Sequence, residues 1–231
     1  DNISTKHEQV ILRYEFNATP DLTLNATVYN NTHTRNWYKT EGIDLDGSDS
    51  ADSLSRTGWA SIINDINLGN GREGFTTDQL QAILDGSLDT AQGSIDVRAN
   101  SRDYYSRGVQ LGLNWQGDIG GSSHSLQSGV RVHRDEEDRL QYDSSFQQLN
   151  GMLVLNDVGV LGAAGNRVQN ADALAVHIYD HIEWGNWVFT PGVRYEDIEL
   201  SRTRYNGGAD RDYRDGRDNN VQIWLPGFGA S

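Results

Sequence analysis

The chain has 231 residues, a formal net charge of -14 and a mean hydropathy of -0.65. No apolar run approaches the roughly 20 residues of a membrane-spanning helix, which excludes a helical membrane protein but not a β-barrel, whose strands show lipid only every second residue. The charge argues against a nucleic-acid partner, because that contact depends on Lys and Arg displacing counterions from phosphates. Cysteine is absent, so disulfides, thiol catalysis and Cys-based zinc sites are ruled out.

The opening residues, Asp1 to His7, are polar and carry no signal-peptide pattern. Period-2 alternation then dominates and recurs in pairs. Val10, Leu12, Tyr14 and Phe16 alternate with Gln9, Ile11, Arg13 and Glu15; after a short turn, Leu22, Leu24, Ala26 and Val28 alternate with Thr23, Asn25, Thr27 and Tyr29. A second pair sets Val109, Leu111, Leu113 and Trp115 against polar neighbours, and then Leu126, Ser128, Val130 and Val132. In the third pair Leu174, Val176 and Ile178 lead to a Gly185-Asn186 turn, followed by Trp187, Phe189, Pro191, Val193 and Tyr195. A seventh strand is predicted from near Val221, and the chain stops at Ser231 inside it, as a piece of something larger would.

The connections alternate too. Turns within pairs are short, whereas the links between pairs, 42–102, 144–170 and 206–219, are long and polar. Soluble sandwiches rarely sort their loops this way; short turns at one end and long loops at the other mark an outer-membrane barrel. One strand face is aliphatic and aromatic, and the other carries Gln, Asn, Arg, Thr and Gly, which a dry core would not accept without partners. Trp115, Trp184 and Trp187 fall at the short-turn ends, where an interfacial belt would lie. The predicted fold is therefore all-β, an antiparallel transmembrane barrel fragment of about seven strands with long extracellular loops. A soluble antiparallel sheet with one wet face is the plainer alternative, and the loop asymmetry decides against it.

Within the longest loop, "TTDQLQAILDG" places Thr76 and Gln79 at capping-box spacing, Leu80, Ile83 and Leu84 on one face, and Gly86 at the stop, which predicts a short helix. "SLSRTGWASIIND" is a weaker second helix. "DLDGSDSAD" spaces Asp44, Asp46 and Asp49 around Gly47 in a way that suits Ca2+. It lacks the distal Glu of an EF-hand loop, and an acidic, Ser-rich loop yields the same letters by chance, so both readings stand. "HRDEEDR", His133 to Arg139, looks like a catalytic cluster, but a strand sends Asp135 and Glu137 to one face and Glu136 and Asp138 to the other, so ion pairing with Arg134 and Arg139 is expected instead. His177 and His181 are about 13 Å apart on a strand, too far for one metal. No nucleophile elbow, P-loop, dinucleotide fingerprint or zinc-helix motif occurs, and nothing supports an enzyme.

The stretches "ILRYEFNATPDLTLNATVYNN", "RNWYKT", "YYSRGVQLGLNWQG", "SGVRVHRDEEDR", "ADALAVHIYDHIEWGNWVFTPGVRYEDIEL" and "LPGFGAS", in this order and spacing, resemble the barrel of TonB-dependent outer-membrane receptors, most closely the ferric dicitrate receptor branch. The resemblance implies a 22-stranded barrel in the outer membrane of a Gram-negative bacterium, in contact with its lipid. This barrel would import a ferric chelate, ferric citrate or another siderophore, with energy delivered through TonB. Residues 1–231 would supply part of the barrel, without the plug domain and TonB box. The resemblance implies no cofactor, only the ferric chelate as substrate; Ca2+ at the long loop's aspartates stays one of the two open readings of that stretch. An anionic chelate would want Arg donors, and Arg35, Arg131 and Arg139 are the candidates near the loop ends, with Trp37 and Tyr38 as contact surface. Ion pairing of these arginines with the abundant Asp and Glu is their alternative role. The competing class is a non-transport surface β-protein: porin-like, an adhesin or a soluble lectin-like sheet.

Overall fold

The computed structural model describes residues 2–47 and 58–231. Nine strands form one antiparallel sheet: β1 (Asn2–Thr19), β2 (Leu22–Ile43), β3 (Ile95–Ile119), β4 (Ser122–Leu149), β5 (Met152–Asp157), β6 (Gly165–Trp184), β7 (Trp187–Phe189), β8 (Gly192–Tyr205) and β9 (Tyr213–Gly227). Seven of them follow one path, β1-β2-β3-β4-β6-β8-β9, with β5 paired to β4 and β7 to β6. Thr190 and Pro191 separate β7 from β8; proline has no N–H to give the ladder, so the predicted continuous strand is interrupted there.

Alternation gives the sheet two unlike faces. Leu12, Val28, Val109, Val132 and Leu174 are cross-strand neighbours in one row, and all stay exposed, Leu12 at 68% and Val132 at 59%. A water-soluble sheet would have to cover such a patch. The opposite face carries Thr27, Gln110, Arg131 and other polar residues. Short turns at 20–21, 120–121 and 185–186 gather at one end, and the connections 44–94, 150–164 and 206–212 gather at the other. Trp184 and Trp187 pair at the short-turn end and are 59% and 60% exposed.

The strands run further than predicted. The segments 42–102, 144–170 and 206–219 lose residues to strand at their ends, and β9 starts well before Val221. Past the apolar band the strict alternation fades from the sequence while the backbone ladder continues.

The 44–94 connection folds on itself. Helix α2 (Thr77–Leu84) has the predicted capping box, with the Thr76 hydroxyl accepting from Gln79 N–H and the Gln79 side chain accepting from Thr76 N–H. Helix α1 (Trp59–Leu68) realises the weaker prediction, although residues 53–57 of that stretch lie outside the described residues. Ile43, Leu45, Ile62, Leu80 and Ile83 form a core at 0% exposure, flanked by Trp59, Ile66 and Phe75. Each such side chain contributes about 1.5–3 kcal/mol of transfer free energy. No helix among the described residues is long and apolar enough to cross a membrane.

This small unit docks on the β4–β5 turn. The Gln148 amide donates to Ile83 O at 2.8 Å and to Leu88 O at 2.9 Å, and Asn150 N–H donates to Asp89 Oδ1 at 2.7 Å. Gly86, at φ +80°, lies so close to Gly151 that a Cβ there would stand 2.9 Å from its Cα. Gly86→Ala is therefore expected to cost about 1–2 kcal/mol through the left-handed backbone alone, and more through the clash. Hydrogen exchange in the purified protein should show faster opening of α2 with the strands unchanged.

Candidate functional site

The register of the sheet brings arginines from five strands into one row. Arg35 opposes Arg102, Arg102 opposes Arg139, Arg139 opposes Arg167, and Arg167 opposes Arg204. All five lie on the polar face, at the long-loop end. With strands about 4.8 Å apart, the row spans about 19 Å. Arg202 and Arg217, opposed to each other two residues nearer the short-turn end, belong to the same face.

Like charges directly opposed across a ladder destabilise it, so the compensation matters. Glu137 is the principal counter-charge. It lies 2.8 Å from Arg139, 3.8 Å from Arg167 and 4.0 Å from Arg102. Arg102 also donates to Asn100 Oδ1 at 3.1 Å and Tyr104 Oη at 3.3 Å, and Arg204 pairs with Asp215 at 2.6 Å. One carboxylate shared by three guanidiniums leaves net positive charge. The Nε atoms of Arg35, Arg167 and Arg202 are buried without a hydrogen-bond partner. The row thus holds donors without acceptors.

A cavity of about 520 Å³ opens beside the row, lined by His7, His33, Tyr104, Asp135, Glu137 and Gln169 among others. His7 and His33 meet edge to face at 6.0 Å, and His33 and Tyr104 rings lie 5.7 Å apart. The volume falls in the usual range for a small-ligand site.

The structure sorts the residues singled out from sequence. Arg35 and Arg139 stand in the same row, and Trp37 follows Arg35 on the same face, opposite Asn100. Tyr38 alternates to the other face, where its hydroxyl pairs with Tyr142. Arg131 lies eight residues along β4 from Arg139, about 26 Å away, in a separate cluster. It donates to Tyr29 Oη at 3.1 Å and to His133 Nδ1 at 3.0 Å, while His133 Nε2 contacts Asp135 at 2.7 Å. Those two bonds describe a His133 protonated on Nε2, with Nδ1 accepting. The charged stretch 133–139 divides between the faces as alternation requires: Arg139 pairs with Glu137 on one, while Arg134 approaches Asp172 at 3.7 Å and Asp138 meets Arg211 at 2.6 Å. Arg102, Arg167, Arg202 and Arg204 escaped the sequence reading, and Glu137 was read there as an ion-pair partner rather than as part of this site.

Comparison with known proteins accounts for this architecture. A family description, "TonB dependent receptor-like, beta-barrel", matches residues 1–231. The chain belongs to the TonB-dependent receptor family. Among solved structures, the receptor barrel is similar to the unliganded ferric citrate transporter FecA, with 16% identity, 99% of this chain and 25% of that chain covered, and a TM-score of 0.63. It is also similar to the siderophore receptor PiuA from Acinetobacter baumannii, with 12% identity, 99% and 30% coverage, and a TM-score of 0.62. For BauA, the ferric preacinetobactin receptor of the same organism, the figures are 10% identity, 98% and 28% coverage, and 0.55. The chain spans about a quarter to a third of the length of these structures. No curated protein matches it. The exposed apolar face is thus the outer wall of a transmembrane barrel and the arginine row faces its lumen. Membership does not favour the adhesin or the soluble lectin-like sheet.

The receptor's long loop carries a second charged group. Asp44, Asp46 and Glu73 each place a carboxylate oxygen within 4.8 Å of the others, and Asp49 lies outside the described residues. Oxygen donors of this kind suit a hard cation. Glu73 was missed because it sits 28 residues from Leu45, whose N–H it accepts at 2.7 Å. Burial raises the Glu73 carboxyl above its ordinary value of 4.5, Asp44 and Asp46 raise it further, and the Leu45 bond partly opposes them. A raised carboxyl stabilises the fold fully below the unfolded value and loses that contribution as pH rises through the folded value. With divalent cations chelated, Glu73→Gln is therefore expected to protect Leu45 N–H from exchange better than wild type at neutral pH. The two should converge below pH 4.5, once exchange is corrected for its intrinsic pH dependence.

Proposed function

We propose that the chain forms part of the wall of an outer-membrane receptor that imports an anionic ferric chelate into a Gram-negative cell, energised through TonB acting on a plug domain. The observation that carries this reading is the lumen-facing row of Arg35, Arg102, Arg139, Arg167 and Arg204 with a single carboxylate, Glu137, among its central members.

A guanidinium presents two parallel N–H donors to a carboxylate, and such charge-assisted pairs are about twice as strong as neutral ones. Several guanidiniums in register match a chelate that displays several carboxylates, as ferric citrate does, better than a neutral ligand. The likeness to a ferric citrate transporter is consistent with that class. In the proposed sequence of events the long loops collect the chelate and the row draws it in. Arg35 and Arg202, which enter no ion pair among the described residues, supply guanidinium donors to the ligand. Displacement of the plug then releases the cargo inward.

Growth under iron limitation tests the reading. A deletion strain complemented with the full receptor is expected to grow on ferric citrate or one other carboxylate siderophore, and rescue by no ferric chelate would sink it. In the purified receptor, Arg35→Gln and Arg202→Gln are each expected to weaken chelate binding about tenfold, the value of one charge-assisted bond. Glu137→Gln should tighten it, since it removes the carboxylate that competes with the ligand. Quenching of Trp37 fluorescence by the bound iron chelate provides the titration.

A further inference from the structure

The outer wall carries a feature that chelate uptake does not use. Directly above the lipid-facing Val109 and Val132, toward the loops, the next outward pair is Arg107 opposite Arg134. Two like charges so placed cost stability unless an anion joins them. Arg107 is exposed, its guanidinium rests 4.6 Å from the centre of the Tyr105 ring, and it makes no ion pair among the described residues. Arg134 donates to Asn170 Oδ1 at 3.4 Å, but its ion-pair contacts are long, 3.7 Å to Asp172, its cross-strand neighbour, and 4.0 Å to Glu136, and its Nε lacks a hydrogen bond. Glu136 is held by the Tyr105 hydroxyl at 3.0 Å, and Glu199, next in the row, faces Asp172 instead.

Below this pair the same face opens into a groove of about 870 Å³, walled by Leu111, Val130, Val176 and Tyr195 with Ser128 and Gly129 at its floor. Arg107 and Leu111 are four residues apart, which on a strand tilted by about 45° is about 9 Å of depth. That is slightly more than the headgroup and interfacial layer, about 5–8 Å on each side of the hydrocarbon core.

We propose that the outer wall holds one phosphorylated lipid of the surrounding leaflet, its phosphate between Arg107 and Arg134 and an acyl chain in the groove at Ser128. The inference rests on the membrane placement of the barrel. Charge complementarity selects an anionic headgroup, and the continuous apolar groove below selects a lipid over a free anion.

The test uses the full receptor, extracted from the outer membrane, delipidated by repeated detergent exchange and weighed by native mass spectrometry. Wild type and Lys6→Gln, a control that alters an exposed cation elsewhere, are expected to retain one phosphorylated lipid. The Arg107→Gln/Arg134→Gln double variant should retain about tenfold less, in line with the loss of charge-assisted bonds. Ser128→Leu, which fills the groove, should lower retention with both arginines intact. Equal retention by the double variant, or none by wild type, overturns the proposal. So does displacement of the lipid by inorganic phosphate alone combined with no effect of Ser128→Leu, which would mark a free-anion site. A receptor that fractionates away from the outer membrane would defeat the membrane placement as well, and this shows before any lipid is counted.

Discussion

In an antiparallel sheet with faces as different as these, a slip of one residue in any pair would turn a valine of the apolar face onto the polar one and an arginine the other way. The register is therefore the constraint from which the rest follows. It is set at tight turns, and the effect accumulates outward along strands of up to 28 residues. Apolar rows and charged rows both arise from the same counting. The sheet has no enclosed core of its own, and the fully buried aliphatic side chains of the described residues lie mainly in the folded connection between β2 and β3.

The charge distribution inverts the whole-chain average. A chain of net charge -14 gathers five arginines in register on one face, where cross-strand opposition works against stability. Natural sheets usually alternate signs in such positions, and local conflicts of this sort tend to mark function. Glu137 shows how the conflict is contained: a carboxylate reachable by Arg102, Arg139 and Arg167 keeps the row foldable without neutralising it. At the edges of the row Asp215 satisfies Arg204, while Arg35 is left with a donor to spare.

Much of this was legible in the sequence. Alternation located the seven principal strands, and the Thr76 to Gln79 spacing located α2, because both signals are local. Arg35 and Arg139 were visible as cations near loop ends. Their union with Arg102, Arg167 and Arg204 was only half legible. Arg102 and Arg139 each stand eighteen residues from the turn at Gly120 and Gly121, and Arg167 and Arg204 each stand eighteen from the turn at Gly185 and Asn186, so counting from the hairpins would have paired them. Pairing Arg35 with Arg102, or Arg139 with Arg167, requires the register across a long connection, which no local pattern encodes. Glu73 joins Asp44 and Asp46 for the same nonlocal reason. The strand ends past the apolar band were missed because their backbone bonds leave no trace in side-chain type, and Tyr38 parts from Trp37 simply because neighbours on a strand face opposite ways.

The connection between β2 and β3 leaves the sheet at Ile43 and re-enters at Ile95, which are paired with each other. Its two ends are therefore held at the spacing of adjacent strands whatever lies between them, and closing a loop on such fixed ends costs little more as it lengthens. A segment with its own buried nucleus, inserted at a fixed doorway, can be exchanged for another of different size without disturbing a single rung of the wall. Differences in the length and content of such a connection have, in this doorway, a place to accumulate at low structural cost.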